Sequence, residues 1–194
     1  MVIRMEYKIK VGVSNRHVHL TKEDYDLLFD GELEVEYKLN QIGEFASNKR
    51  LTLVNGDKVI ENVRVVGPLR KYTQVEISRY DARHIGLNPP VRSSGDIAGS
   101  EVITLKTVKG EITRESCVIA DRHVHMSPDD AFKYGVVNKQ KVQIKVPGDK
   151  SGIMDAFIKV GDTGYYEFHI DTDDANAFNL NNDDEVTLII WVLI

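Results

Sequence analysis

The sequence contains little of the residue types that mark several common protein classes. Cys117 is the only cysteine among 194 residues, so no intramolecular disulfide can form and no Cys-rich zinc finger is indicated. Proline is scarce at 5 residues, and the hydrophobic content of 42% is ordinary for a globular protein, which excludes wholesale disorder. Basic residues are not in excess: 25 Lys and Arg stand against 30 Asp and Glu, with a net charge of −5. This balance argues against a general nucleic-acid binder.

Long hydrophobic runs are also missing. The first twenty residues hold no apolar run long enough for a signal-peptide core, since charged residues recur throughout them. The most apolar stretch, residues 186–194, is too short to span a bilayer and predicts a buried strand. We therefore expect a soluble, cytoplasmic protein with no membrane partner.

An internal repeat organises the chain. The segment SNRHVHL at residues 14–20 recurs as ADRHVHM at residues 120–126, an offset of 106 residues from His17 to His123. A hydroxyl residue follows each copy and an acid stands three positions further on, which predicts a capped helix start. We expect two related halves, residues 1–112 and 113–194, with the boundary near residues 110–114.

Most of the remaining sequence predicts strands, and the Asn-Gly dipeptide at residues 55–56 predicts a hairpin turn. Many short strands and few helices favour a mainly β fold of two related small β-barrels capped by short α-helices. The predicted strands are residues 8–13, 51–54, 58–66, 72–78, 101–107, 141–146, 152–160, 165–170 and 185–193. The predicted helices are residues 21–29, 79–85, 128–134 and 172–178.

The histidine pairs predict metal sites. Residues i and i+2 of a strand point to the same face, so His17 and His19 can address one ion, as can His123 and His125. Catalytic zinc sites commonly use three protein ligands and keep an open position. In the second half His169 is a candidate third ligand, although a half-buried strand histidine would show the same pattern. The first half has no equally clear third histidine, so a carboxylate is the natural candidate for its third ligand. The spacing alone does not show which Asp or Glu this would be.

The other unusual residues have simpler interpretations. His84 stands near the end of a predicted helix, where a capping role is favoured. Cys117 lies in an apolar run and is expected to be a buried, inert thiol. Arg16 and Arg122 precede the histidine pairs, and Arg70 follows a Gly-Pro turn in a basic stretch. A guanidinium can hold phosphate with two parallel hydrogen bonds, so the residues indicate a two-site metalloenzyme with an anionic substrate.

Longer motifs resemble the phosphate propanoyltransferases, the zinc-dependent phosphotransacylases associated with bacterial microcompartments. The resemblance runs from about residue 8 to residue 190. It implies the reaction acyl-CoA + phosphate ⇌ acyl phosphate + CoA, on a fold of two β-barrels with helical caps. The motifs that carry it are VSNRHVHL (13–20), GPLRKYTQVEIS (67–78), PVRSSGD (90–96), DRHVHM (121–126) and HIDTDDANA (169–177).

The resemblance also implies roles for individual residues. Arg70 matches the family's phosphate-binding arginine and would be the catalytic residue. The implied ligands of two Zn²⁺ ions are His17, His19 and Glu76 at the first site and His123, His125 and His169 at the second. The implied CoA contacts are Val13, Ser14, Asn15, Arg64 and Asn176. A family lysine near the hairpin turn has no clean match, because Asp57 occupies its position and Lys58 is adjacent. Residues 98–103 also lack the family's Pro-Gly after Gly-Ser.

Family members in microcompartments usually carry an extra N-terminal amphipathic segment. Residues 1–7 are too few for such a helix, so we expect a free cytoplasmic enzyme. Because the missing targeting segment removes the link to propanediol metabolism, we expect acetyl as the preferred acyl group, with propanoyl as the alternative. The expected partners are acyl-CoA and phosphate, without nucleic acid or membrane, and a homo-oligomer is compatible with the sequence.

Three other hypotheses compete with direct transfer between CoA and phosphate at a two-zinc site. Transfer through an acyl-Cys117 intermediate is a variant of the same activity. A cupin-like or hydrolytic metalloenzyme would also combine His-x-His with Glu and His on a barrel, although a cupin uses one such set for one ion. A zinc-stabilised binding module would normally use four ligands, rich in cysteine.

Overall fold

The computed structural model describes residues 2–162 and 165–193. Within these residues the structure is mainly β, with four short helices. The helices are α1 Lys22–Leu28, α2 Arg79–Ile85, α3 Pro128–Tyr134 and α4 Thr172–Phe178. The strands are β1 Val2–Ser14, β2 His17–His19, β3 Val35–Lys38, β4 Phe45–Asn55, β5 Lys58–Gly67, β6 Gln74–Glu76, β7 Val91–Arg92, β8 Glu101–Lys106, β9 Glu111–Ala120, β10 His123–Met126, β11 Lys141–Val146, β12 Gly152–Val160, β13 Glu167–Asp171 and β14 Glu185–Leu193.

Each helix begins at a side-chain cap. Thr21, Ser78, Ser127 and Asp171 each accept a hydrogen bond from the backbone N–H three residues on, which satisfies an N–H that the first helical turn leaves unpaired. The local signals therefore determine these elements, and the predicted helices are confirmed, α1 being one residue shorter at each end.

The strand predictions are confirmed in position but not always in length. The predicted strand 72–78 is reduced to β6, because residue 78 caps α2 instead. The hairpin extends from Phe45 to Gly67, and its turn consists of Gly56 and Asp57, with Gly56 at φ 59°. The predicted strands did not include β3, β7 or β9, and β2 and β10 were expected only from the His-x-His pattern.

Six strands close one barrel, in the order β1-β13-β10-β12-β11-β14. Alternate residues of β11 point into it: Val142, Ile144 and Val146 are buried, while Lys141 and Lys145 are exposed. Full burial of each such side chain contributes about 1.5–3 kcal/mol. These residues belong to an apolar core shared with Phe168 and Leu188.

A second ring forms from β4-β5-β2-β6-β9-β8, because β8 pairs with both β9 and β4. Strand β3 pairs with β4 and β7 pairs with β9, outside this ring. Leu51, Leu53, Val63 and Val65 are at most 3% exposed and form its core with other apolar residues. The predicted fold class of two small β-barrels with short helices is therefore confirmed.

The two rings have the same topology. Strands β2, β4, β5, β6, β8 and β9 correspond in order to β10, β11, β12, β13, β14 and β1, and every pairing has the same direction in both rings. Strand β1 precedes the first His-x-His strand, β2, in the sequence, but it closes the ring that contains the second His-x-His strand, β10. Strand β9 precedes the second His-x-His strand but closes the ring of the first. The repeats have thus exchanged their first strands.

This exchange changes the division of the chain. The compact units are Asn15–Ala120 and the combination of Met1–Ser14 with Asp121–Ile194. The expected halves, residues 1–112 and 113–194, were based on the sequence repeat. In that repeat, β1 is the first strand of one copy and β9 is the first strand of the other. The difference arises because β1 forms its hydrogen bonds with β13 and β14, not with strands of its own repeat.

The exchange predicts which fragment folds alone. Residues 15–120 contain a whole ring, so we expect this fragment to unfold in one cooperative thermal transition, measured by far-UV circular dichroism. The fragment 1–112 lacks nearly all of β9, which leaves β6 and β8 without their shared partner and exposes strand edges. We expect it to aggregate or to show no transition. A cooperative transition in 1–112 and none in 15–120 would contradict the assignment.

Candidate metal centres

The first candidate site lies on β2 and β6. The histidines alternate with Val18, which is fully buried, so both imidazoles point to the same face of β2. Strand β6 runs antiparallel to β2, and its register places Glu76 directly opposite His17. One ligand atom from each of His17, His19 and Glu76 lies within 4.8 Å of the others. His17 Nε2 and Glu76 Oε2 are 3.6 Å apart.

Backbone carbonyls orient these imidazoles. Nδ1 of His17 is 2.8 Å from the carbonyl oxygen of Asn15, and Nδ1 of His19 is 3.1 Å from that of Val66. A carbonyl oxygen only accepts, so each Nδ1 carries the proton and each Nε2 presents a lone pair. Metal-bound histidines are characteristically held in this way.

The second candidate site repeats the arrangement on β10 and β13. His123 faces His169 across the antiparallel pair, and one ligand atom from each of His123, His125 and His169 lies within 4.8 Å of the others. Nδ1 of His123 donates to the carbonyl oxygen of Asp121, at 2.8 Å. His123 Nε2 and His125 Nε2 are 3.0 Å apart. Among the described residues these two clusters are the groups of three or more His, Cys, Asp and Glu that could hold a metal ion.

Burial favours the neutral form of two imidazoles of the second site, those of His125 and His169. It lowers the pKa of His125 far below its usual range, and the neighbouring His123 and His169 lower it further. Burial is also the main cause that lowers the pKa of His169, against the opposing effect of the Glu167 carboxylate. Neutral imidazole is the form that binds a metal.

Three further polar side chains that sequence reasoning missed lie beside the third ligands. Gln74 Nε2 donates to Glu76 Oε1 at 2.6 Å, and Glu167 Oε2 is 2.5 Å from His169 Nε2. The tyrosine hydroxyl of Tyr165 is 2.6 Å from the same nitrogen. The period of two would have found Gln74 and Glu167, because each lies two residues before a ligand on the same strand face.

The arginines that precede the histidine pairs point elsewhere. Arg16 forms an ion pair with Asp81, whose side chain is 5% exposed, at the start of α2. Arg122 binds Asp174 of α4 through two hydrogen bonds of 2.6 and 2.8 Å, which raise its pKa. Both arginines therefore stabilise helices rather than contribute atoms to the clusters.

Arg70 lies outside the regular strands, since β6 begins only at Gln74. Its backbone N–H donates to Leu20 O. Its guanidinium is largely buried, donating from Nη2 to Glu44 and from Nη1 to Ser94 Oγ at 3.3 Å. Two of the five N–H donors of an arginine are thereby used, and the group is held in a defined direction.

The residues expected to contact CoA are divided between the two units. Val13 and Ser14 end β1 and Asn176 lies on α4, in one unit, whereas Asn15 and Arg64 lie in the other. Arg64 donates from Nη1 to Glu36 Oε2 at 2.8 Å.

Two sequence interpretations of single residues are consistent with the structure. His84 is exposed in the last turn of α2, whose C-cap is Gly86 in the left-handed conformation. Cys117 is fully buried, and burial raises the pKa of its thiol to about 12. A buried thiol of this kind is neither an accessible nucleophile nor a metal ligand.

Both clusters fit a metal ion with an open coordination position. Each offers three nitrogen or oxygen ligand atoms and no cysteine, and three of the six ligand residues, His17, His19 and His123, are oriented by a backbone carbonyl. Structural zinc sites are typically four-coordinate and closed by protein ligands, whereas catalytic sites keep a position free. The fold and the clusters thus define a class of double-barrel proteins with two candidate metal sites.

Comparison with known proteins identifies the family. The sequence model of the phosphate propanoyltransferase family matches residues 10–181. The chain is 47% identical over 193 residues to a phosphate propanoyltransferase of Thermotoga maritima, covering 97% of this chain and 92% of the relative. It is 44% identical to that of Shewanella putrefaciens, covering 94% and 88%, and 43% identical to that of Salmonella typhimurium, covering 90% and 85%. The chain belongs to the phosphate propanoyltransferase family.

Membership in this family makes the protein an acyltransferase with acyl-CoA and phosphate as the implied substrates. The cupin-like, hydrolytic and non-enzymatic hypotheses are thereby set aside.

The two clusters predict two metal ions per chain, and the loss of one histidine ligand should remove one of these ions. His19→Ala and His125→Ala should each lower the metal bound per folded chain from two equivalents to one, measured by elemental analysis after gel filtration. The double variant should bind none. His84→Ala is the matched control, because His84 is an exposed histidine outside both clusters, and it should retain two. Retention of two equivalents by His19→Ala or His125→Ala would remove that histidine from its site.

Proposed function

We propose that both clusters bind Zn²⁺ and that the enzyme transfers a short acyl group, acetyl or propanoyl, directly from CoA to phosphate. The main support is that each barrel presents three non-cysteine ligand atoms within 4.8 Å of one another in a family whose reaction requires two anionic substrates. His17, His19 and Glu76 would hold one ion, and His123, His125 and His169 the other. Zinc supplies Lewis acidity and a fixed positive charge toward oxygen when it is bound.

Arg70 is the proposed phosphate-binding residue. Its contacts with Glu44 and Ser94 use one N–H each of Nη2 and Nη1, which leaves three N–H donors for an anion. In the proposed reaction a phosphate oxygen attacks the carbonyl carbon of the thioester. The new C–O bond forms, the C–S bond breaks, and CoA leaves as its thiolate. A thiolate is a good leaving group, so this step makes little demand for a general acid.

The CoA contacts are proposed on Val13, Ser14, Asn15, Arg64 and Asn176. Arg64 supports this role, because its side chain is about three-quarters buried and is held by Glu36 and by the ring of Tyr37, 5.0 Å away. A guanidinium fixed in this way loses little conformational entropy when it binds a phosphate of the coenzyme. The family's lysine contact has no clean match here, because Asp57 occupies that position and Lys58 is adjacent.

An acyl-enzyme through Cys117 is disfavoured. A thiol whose pKa is raised to about 12 by burial is almost entirely protonated near neutral pH, and the thiolate is the nucleophilic form. Its side chain is fully buried within the core of the first ring. Direct attack by phosphate needs no residue of this kind.

The location and assembly of the enzyme stay predictions. Among the residues that the structure describes, no helix has both the length and the apolar character needed to cross a bilayer. We propose a cytoplasmic enzyme, and a homo-oligomer is compatible with the sequence.

The proposed function is tested by following CoA release from acyl-CoA. Release should require phosphate, stop after metal removal by a chelator, and return when about two equivalents of Zn²⁺ per chain are added. Full activity of the metal-free protein would overturn the proposal. The same assay with acetyl-, propanoyl- and butanoyl-CoA tests the acyl group, and a strong preference for propanoyl-CoA would contradict the expectation of acetyl.

The role of Arg70 predicts a specific pair of variants. Arg70→Ala should lower phosphate-dependent transfer roughly 100-fold or more, by analogy with the removal of one transition-state donor, while both metal equivalents remain bound. Arg70→Lys should restore little activity, because an ammonium keeps the charge but loses the planar fork. Arg4→Ala, which removes an exposed arginine paired with Glu6, is the control and should change stability by less than about 0.5 kcal/mol. Near-normal transfer by folded, metal-replete Arg70→Ala would exclude Arg70 from the mechanism.

A further inference from the structure

Gln74 is a fully buried polar residue beside the first cluster. Its amide is satisfied on both sides. The oxygen accepts the backbone N–H of Gly95 at 2.8 Å, and the nitrogen donates to Glu76 Oε1 at 2.6 Å. Because the first bond fixes which end of the amide is the oxygen, the other end can only donate. The orientation of Gln74 is therefore determined.

This orientation distinguishes the two oxygens of Glu76. Oε1 accepts from Gln74, whereas Oε2 is directed toward His17 Nε2, at 3.6 Å. A flexible carboxylate would have to lose rotational freedom to ligate an ion. Gln74 removes that freedom in advance and leaves Oε2 on the side of the histidines.

Gln74 also connects the first cluster to the loop that holds Arg70. The loop turns at residues 93–96, where the N–H of Asp96 donates to Ser93 O and Gly95 has φ 94°. Ser94 Oγ accepts from Arg70, and the next N–H, that of Gly95, donates to Gln74. One short loop thus contacts both the proposed phosphate-binding arginine and the partner of the proposed ligand Glu76.

The equivalent position of the second repeat carries a different residue. Glu167 lies opposite His125, as Gln74 lies opposite His19, and it is also buried. Its Oε2 lies 2.5 Å from Nε2 of the third ligand, His169. Gly12 leaves room for this pair, since a Cβ there would be 2.3 Å from Glu167 Oε2 and 2.7 Å from His169 Nε2.

The partner at this position matches the chemistry of the third ligand. A carboxylate ligand only accepts hydrogen bonds, and it is partnered by an amide N–H. An imidazole ligand is partnered by a carboxylate, which can accept its N–H. Hydrogen-bonded partners of this kind set the orientation of metal ligands, and their removal commonly costs 10- to 100-fold in affinity.

We propose, on the basis of the metal sites assigned above, that Gln74 and Glu167 are the positioning residues of the first and second metal centre, each orienting the third ligand two residues further along its strand. Gln74 additionally fixes the loop that holds Arg70. Neither residue needs to contact substrate for this role.

Metal affinity measured by competition with a chelator tests the proposal directly. Gln74→Met keeps the length of the side chain but removes both hydrogen bonds, and Glu167→Gln removes the carboxylate with little change in shape. Each variant should weaken one of the two metal equivalents about 10- to 100-fold and leave the other unchanged. The double variant should weaken both. Gln140→Met is the control, because Gln140 accepts one backbone N–H, from Val137, outside both clusters, and it should leave both affinities unchanged.

The thermal midpoint of the metal-free proteins separates positioning from a merely structural role. A structural role would lower the midpoint and leave both affinities as in the wild type. Unchanged affinities in folded Gln74→Met and Glu167→Gln, or loss of the same equivalent in both, would overturn the inference.

If Gln74→Met does not fold, Gln74→Glu is used instead. It keeps an acceptor for Gly95 but places a carboxylate against Glu76, and it should weaken the same equivalent. A wild-type protein that binds no metal would instead refute the proposed function itself.

Discussion

The antiparallel pairing between each His-x-His strand and the strand that carries the third ligand is the constraint on which both clusters depend. In β2 and β6 the register places His17 opposite Glu76, and in β10 and β13 it places His123 opposite His169. Directly opposed residues have Cβ atoms about 4.5–5.5 Å apart, which suits two ligands of one ion. A slip of one residue would turn the third ligand to the other face of the sheet and abolish the cluster.

The exchanged strands keep this register. Strands β2 and β6 have three residues each, and an isolated pair of that length is not stable. Strand β6 is held on its other edge by β9, and β13 is held by β1, both in parallel register. Each site therefore depends on a strand that belongs, in sequence, to the other repeat. The core formed inside each closed ring supplies the energy that fixes the short central strands.

The sequence predicted the parts of this arrangement that depend on local signals. Helix caps, the histidine pairs and the repeat are all encoded within a few residues, and the structure contains them at the expected positions. Glu76 could not be chosen from the residues alone, because its place opposite His17 is set by a pairing across more than fifty residues of chain. Strand β9 was missed because charged residues interrupt its first half, at Glu111, Arg114 and Glu115. The strand exchange has no local signal either, since β1 and β9 would carry the same pattern whichever ring they closed.

The two sites share one backbone plan but distribute charge differently. Counting the three candidate ligands together with Gln74 or Glu167, each site contains one carboxylate. In the first site it is Glu76, beside neutral Gln74, and in the second it is Glu167, beside neutral His169. With zinc bound as proposed, the first ion would have an anionic ligand in direct contact, and the second would have three imidazoles with the carboxylate behind one of them. A directly bound anion offsets more of the ion's charge than one behind an imidazole, because the interaction falls with distance. The second centre would therefore keep more positive charge toward an exogenous oxygen ligand, and the duplication would provide two ions of unequal Lewis acidity in a single chain.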